Sequence, residues 1–264
     1  MQLLLLSRIC SLSITISLLT IFFSFSVSAS QAVLRVIPVI AKKCVDVLPS
    51  RKIIEFSKLP TTECGQILDK MPISQAARED TYLRILIAQN KLVFEEAESL
   101  YTNLKNVPGF AATLRKISGS NPVQQKGHLY EVWTANELKK RGYNIIEIGK
   151  KFNDPAKNKP TDIDIIIEKR NTKFALELKS YSQETFRDYQ YRYEFFFETL
   201  PKDMQTLKAF QKENTGAKIT FVMEHKPEDR LVLANIERIS KMQQVDVIYA
   251  TAEELPLLLS QMIK

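Results

Sequence analysis

Asp162, Asp164, Glu177 and Lys179 fall within one stretch, Thr161 to Lys179, reading TDIDIIIEKRNTKFALELK. Three carboxylates and an ammonium thus border a run of Ile, Leu and Phe. Asp162–Ile167 and Phe174–Lys179 are apolar-rich, and the polar Glu168–Lys173 between them carries the turn former Asn171, which predicts an antiparallel hairpin. Side chains alternate along a strand, so Asp162, Asp164 and Ile166 are expected on one face and Ile163, Ile165 and Ile167 on the other. On the second strand Ala175, Glu177 and Lys179 share a face, with Phe174, Leu176 and Leu178 opposite. Pairing Ile167 with Phe174 sets Asp164 against Glu177 and Asp162 against Lys179, with opposed Cβ atoms about 4.5–5.5 Å apart. Close carboxylates resist ionising together, and a divalent cation removes the conflict. Hard ions such as Mg²⁺ take carboxylate oxygens and keep water and phosphate as remaining ligands. The chemistry expected is that of a Mg²⁺ or Mn²⁺ site.

Other elements must hold that hairpin in place. GHLYEVWTANELKKRGYNIIEI precedes it, starting at Gly127, and predicts a helix Leu129–Arg141 stopped by Gly142, then a strand Tyr143–Ile148. Leu129, Val132, Trp133, Ala135 and Leu138 form its apolar stripe, which leaves Glu131 either as a polar-face residue or as a site residue. Lys150–Pro160 reads as a polar loop bringing Lys150, Lys151, Lys157 and Lys159 to the mouth of the site, either as phosphate contacts or as a solvated segment. Beyond Lys179, Thr185–Leu200 is dense in aromatics with Arg187 and Arg192 interleaved. Base stacking on them is one reading, and core is the favoured one for the phenylalanines. A helix from Pro201, strands at Lys218–Glu224, Leu231–Ile236 and Val245–Tyr249, and a final helix Glu253–Ile263 complete this part.

Asp164 followed by Glu177-x-Lys179 on the next strand resembles the signature of the PD-(D/E)XK nuclease superfamily, and Glu131 stands on the helix that such proteins place before the hairpin. The resemblance spans roughly Gly127 to Tyr249. It implies a restriction-endonuclease-like fold: an α/β core of helix, three-stranded meander, helix and strand, with a mixed sheet flanked by helices. It further implies metal-dependent phosphodiester hydrolysis with Asp164, Glu177, Lys179 and Glu131 as catalytic residues. Asp164, Glu177, the Leu178 carbonyl and Asp162 would hold the metal. Where the family has Pro-Asp this chain has Thr161-Asp162-Ile163-Asp164, so either aspartate fits as principal ligand, and register favours Asp164. Lys202 and Gln205 loosely match the polar helix position after Glu-x-Lys. With Lys150, Lys151, Lys157, Lys159 and Arg187 they form the expected nucleic-acid contacts.

The chain has 264 residues, 37 Lys and Arg against 30 Asp and Glu, and a formal charge of +7. A basic surplus suits a polyanionic partner, here nucleic acid, with DNA ahead of RNA. Arg8 is the only charge before Arg35, and the apolar run 9–27 ends in Val27-Ser28-Ala29. Residues 1–29 therefore read as a signal peptide of a secreted or periplasmic protein, with an uncleaved membrane anchor through 9–27 as the alternative. Cleavage would leave no stable membrane association. After export, Cys44 and Cys64 would form a disulfide. His128 and His225 stand too isolated for a zinc site. Residues 30–120 are expected to form a mainly helical region, including a long periodic run from Ile73 to Leu100. Ser118-Gly119-Ser120-Asn121-Pro122 marks its junction with a nuclease domain over 121–264.

The function expected is an exported nuclease, a defensive or digestive enzyme or a toxin, the last paired with an inhibitory immunity protein. Two other classes remain open: a non-catalytic nucleic-acid-binding module on a degenerate nuclease fold, and a membrane-anchored basic protein.

Overall fold

The computed structural model describes residues 50–59, 61–154 and 159–263. The expected leader and cleavage point, Cys44 and Lys157 lie outside these residues. The described fold is α/β. Helices α1 (Ser50–Lys58), α2 (Thr61–Lys70), α3 (Gln75–Ala88), α4 (Phe94–Leu104), α5 (Phe110–Gly119) and α6 (Pro122–Lys140) lead into a meander of β1 (Asn144–Asp154), β2 (Lys159–Lys169) and β3 (Thr172–Lys179). After these come α7 (Tyr189–Glu194), a π-helical turn Phe195–Thr199, α8 (Leu200–Glu213), β4 (Lys218–Met223), α9 (Arg230–Gln243), β5 (Asp246–Tyr249) and α10 (Leu255–Gln261). The sheet order is β1-β2-β3-β4-β5, antiparallel across the first three strands and parallel across the last three.

The central hairpin forms with Ile167 opposite Phe174, as expected. Its turn is tighter than the polar segment predicts, because Arg170 and Asn171 alone connect the strands, both at positive φ. That is the backbone of a two-residue hairpin turn matched to strand twist. Ile165, Ile167, Phe174 and Leu176 pack on one side of the sheet against α5, α6 and the other N-terminal helices. Ile166 and Ala175 pack on the other side with Met204, Leu207, Ile236 and neighbours from α8 and α9.

Four expectations are corrected. Ile163 does not share a face with Ile165 and Ile167; it buries in the α8–α9 cluster, and the strand pair is irregular there, with Gly149 of β1 at φ 63° between the partners of Ile165 and Ile163. Lys150–Asp154 is strand and β2 begins at Lys159, so both ends of the expected polar loop belong to strands, and residues 155–158 lie outside the described set. Leu231–Ile236 lies within α9. Asp229 accepts from the Leu231 and Val232 N–H groups and caps the helix, and Val232, Ile236 and Ile239 bury at helical spacing, which overrides their strand preference. The long periodic run breaks into α3 and α4 at Asn90, which has positive φ.

The N-terminal helices share one apolar core with the sheet, across the Ser120–Asn121 link between α5 and α6. Gly109 is where backbone meets backbone. It has φ 84°, and a Cβ there would lie 1.7 Å from the Ile148 carbonyl oxygen, while Ile148 N–H donates to the Pro108 carbonyl at 2.9 Å. Gly109→Ala is expected to cost about 2 kcal/mol or more in urea unfolding. Gly142→Ala, also at positive φ but with nothing within 4 Å of the added Cβ, should cost only about 1 kcal/mol. Equal losses would mean that the Gly109–Ile148 approach does not join the two parts.

Candidate active site

The site is built where the β2–β3 ladder stops. The last backbone pair is Ile165–Leu176, so neither Asp164–Glu177 nor Asp162–Lys179 is a strand pair as the register predicted. Asp164 itself supplies the reason. Its Oδ2 accepts from the Leu178 N–H at 2.7 Å and so stands where the next ladder bond would come. The carboxylate lies between the strands instead of projecting from one face.

Glu177 and Lys179 point to the α8 side. Glu177 Oε1 accepts from Lys179 Nζ at 2.8 Å, and the same ammonium lies 3.0 Å from Asp203 Oδ2 on α8. Glu177 is only 6 % exposed, and its Oε2 has no hydrogen-bond partner. On α6, Glu131 is 7 % exposed, with Oε1 at 2.8 Å from His128 Nδ1 and a buried Oε2 that is likewise unpartnered. Two buried carboxylates thus keep a bare oxygen each, a costly arrangement for a protein to retain without a use.

The electrostatics follow from that burial. Burial first, then the Glu177 and Glu131 charges, push the Asp164 carboxyl well above the usual carboxylate range, against the pull of Lys179 and the Leu178 N–H. Burial also pushes Glu177 up to about 7, although Lys179 beside it acts in the opposite direction. Burial alone would lower the Lys179 ammonium, yet Glu177, Asp203 and Asp164 hold it well above its ordinary value. The site therefore holds an excess of carboxyl over cation.

The remaining candidates are distributed as follows. Asp162 is half exposed and pairs with Lys116 of α5 at 3.6 Å, so it lies at the margin of the cluster and not on Lys179. Lys150 pairs with Glu147 at 2.8 Å, and Lys151 is exposed across from Asp162 on β1. Lys159 opens β2, and Arg187, Lys202 and Gln205 are exposed. Cys64 is a buried free thiol, while Cys44 lies outside the described residues. No helix among the described residues is long and apolar enough to cross a membrane. Two site residues escaped sequence reading. Asp203 sits between Lys202 and Gln205, and its inward aim is signalled only by Thr206 and Phe210, buried further along the same helix. His128 carries an i,i+3 spacing to Glu131 that could have paired them.

An open cleft of 560 Å³ adjoins the cluster at the C-terminal ends of the parallel strands, lined by Ser182, Gln183, Glu224, His225, Tyr249 and Thr251 among others. Lys179 and Glu224 join the two, the Glu224 N–H donating to the Lys179 carbonyl at 2.9 Å. Among the described residues no three His, Cys, Asp or Glu side chains converge closely enough to hold a metal by themselves. The fit to Mg²⁺ is therefore that of an incomplete protein shell. Asp164, the bare Glu177 oxygen and the Leu178 carbonyl are suitable donors, and water and a phosphate would have to complete the set. No protein-family model, curated protein or solved structure matches the chain.

The raised Glu177 carboxyl makes stability pH-dependent. Its protonated form is favoured in the fold, so its contribution is complete below the unfolded Glu value of about 4.3 and is lost as pH rises through about 7. In EDTA, the unfolding free energy of the wild type relative to Glu177→Gln should fall by roughly 1–3 kcal/mol between about pH 5 and pH 8. Parallel pH profiles for the two proteins would contradict the assignment.

Proposed function

We propose that this chain is an exported, metal-dependent nuclease of the PD-(D/E)XK kind, hydrolysing phosphodiester bonds of nucleic acid with DNA as the preferred class. One observation carries the reading. Asp164, Glu177 and Lys179 meet at the end of a strand pair with Glu131 close by in charge, and the buried Glu177 keeps one oxygen bare. The order helix, antiparallel meander, helix, parallel strand supports a restriction-endonuclease-like core. The leader outside the described residues supports export and, if the enzyme is a toxin, an inhibitory partner in the producing cell.

Asp164, Glu177 and the Leu178 carbonyl would hold Mg²⁺ or Mn²⁺. When bound, such an ion supplies Lewis-acid polarisation of a phosphoryl oxygen and a water of lowered pKa. Lys179, fixed between Glu177 and Asp203, aims a compact three-donor cation at the negative charge that builds on the phosphate. Asp203 positions Lys179, and Glu131 adds negative potential at Asp164. Lys150, Lys151, Lys157, Lys159, Arg187, Lys202 and Gln205 are the side chains proposed to track the backbone of the substrate.

A second reading is a binding module on a degenerate nuclease fold. The Lys179 ammonium seated on Glu177, with no three acidic or imidazole ligands converging among the described residues, favours it. Cleavage of labelled single- and double-stranded DNA and RNA, with Mg²⁺ or EDTA, separates the two. Cleavage should require the metal. Asp164→Ala, Glu177→Ala and Lys179→Ala should each lower it by about a hundredfold or more, and Asp162→Ala by less. An active Glu177→Ala protein, or cleavage undiminished in EDTA, contradicts the proposal.

A further inference from the structure

The segment between β3 and α8 carries the most exposed aromatic surface among the described residues. Tyr189, Tyr193 and Phe197 are 77 %, 51 % and 68 % exposed, and Leu231 of α9 adds 73 %. Exposed patches of large apolar side chains mark contact surfaces. Tyr189, Tyr193 and Phe197 recur every four residues, and the Tyr193 and Phe197 rings lie 4.7 Å apart, tilted by only 30°. The π-helical turn Phe195–Thr199 joins α7 to α8 here, and such turns are frequent at functional sites. Within it Phe195 buries while Phe197 stays outside. A groove of 250 Å³ runs along the stripe, with Arg192, Phe196 and Asn235 in its lining.

The same segment packs against the candidate active site through another face. Tyr181, two residues beyond Lys179, makes edge contacts with Tyr191 at 6.0 Å and with the buried Phe195 at 5.3 Å. Phe197 precedes Asp203 by six residues on one unbroken helical run, about 9 Å along the axis. A duplex shows its phosphates and hides its base faces, so a row of bare rings offers it little. Unpaired bases have π-faces to lay on such rings, with a guanidinium alongside to stack or to meet a phosphate.

We infer that Tyr189, Tyr193 and Phe197 form a stacking track for unpaired bases, making single-stranded nucleic acid the preferred substrate class of the adjacent site. This rests on the nuclease reading above and narrows it. Arg192, which pairs with Asp229 at 3.4 Å in the free protein, turns to the strand when one is bound.

The test measures binding apart from cleavage. Fluorescence anisotropy of labelled oligothymidine and of a duplex of equal length, both in Ca²⁺ in place of Mg²⁺, is read for the full chain and for Tyr193→Ala, Phe197→Ala and the double variant. The wild type should bind the single strand more tightly than the duplex. Each single variant should lose about five- to a hundredfold in single-strand affinity with little change for the duplex. Tyr193→Phe should retain affinity, because it keeps the ring. All the altered side chains are exposed, and a circular dichroism spectrum checks the fold. A double variant that binds single strands like the wild type, or a wild type that prefers the duplex, overturns the inference. So does a stripe whose loss only converts a dimer to a monomer, because that surface then faces a second copy. If the wild type cleaves no nucleic acid with any divalent ion, the nuclease reading fails, and ring-dependent single-strand binding still stands on its own.

Discussion

The contact on which the rest depends is the hydrogen bond from the Leu178 N–H to Asp164 Oδ2, 2.7 Å long. It puts a carboxylate inside a sheet, between two strands, where an ordinary side chain would have projected from a face. Three consequences follow. The β2–β3 ladder ends at Ile165–Leu176, while β3 keeps its parallel pairing with β4 from Phe174–Lys218 to Lys179–Met223. Ile163 and Ile165 go to opposite cores. Asp164 comes under the influence of Glu177 and Glu131 at once, and its charged form becomes costly. A single donated proton from the backbone offsets only part of that cost.

Around this point the fold is arranged in two packed layers. The N-terminal helices and α6 supply one apolar layer, and α8 and α9 the other. Each layer also contributes a charged group to the cluster, Glu131 from α6 and Asp203 from α8. Their helices are held by buried neighbours, Val132 and Leu138 for the first and Met204 and Leu207 for the second. The rigidity of the site thus comes from packing that is itself apolar, while its polar atoms remain incompletely satisfied. Unsatisfied groups held by a well-packed frame are what a binding or catalytic site requires.

Much of this was legible in the chain. The hairpin register near its turn, the helix carrying Glu131 and a strand at Lys218–Glu224, observed as Lys218–Met223, follow from alternation, helical spacing and turn residues. The inward face of β3 is correct to the residue. What failed did so for local reasons. Asp164 was assigned to a face because alternation assumes a regular strand, and a side chain that replaces a ladder bond leaves no trace in periodicity. Leu231–Ile236 has the composition of a strand, and only the Asp229 cap and the later Ile239 reveal a helix. Asp203 was hidden beside two exposed neighbours, Lys202 and Gln205. Phenylalanines in Phe186–Phe197 divide between core and surface, Phe186 and Phe195 buried and Phe197 exposed with Tyr189 and Tyr193 at four-residue spacing, so favouring core for all of them is too broad.

On the proposed function, Asp164 and Glu177 are a buried acidic pair that would give up protons to a divalent cation. Metal affinity at carboxylates with raised pKa values must be coupled to proton release. Isothermal titration with Mn²⁺ at a pH slightly below 7, repeated in buffers of different ionisation enthalpy, counts those protons directly. Binding should release about one proton or more per ion, and both should be abolished in the Asp164→Asn, Glu177→Gln double variant. Absence of Mn²⁺ binding, or binding that is unchanged in the double variant and releases no proton, would contradict it.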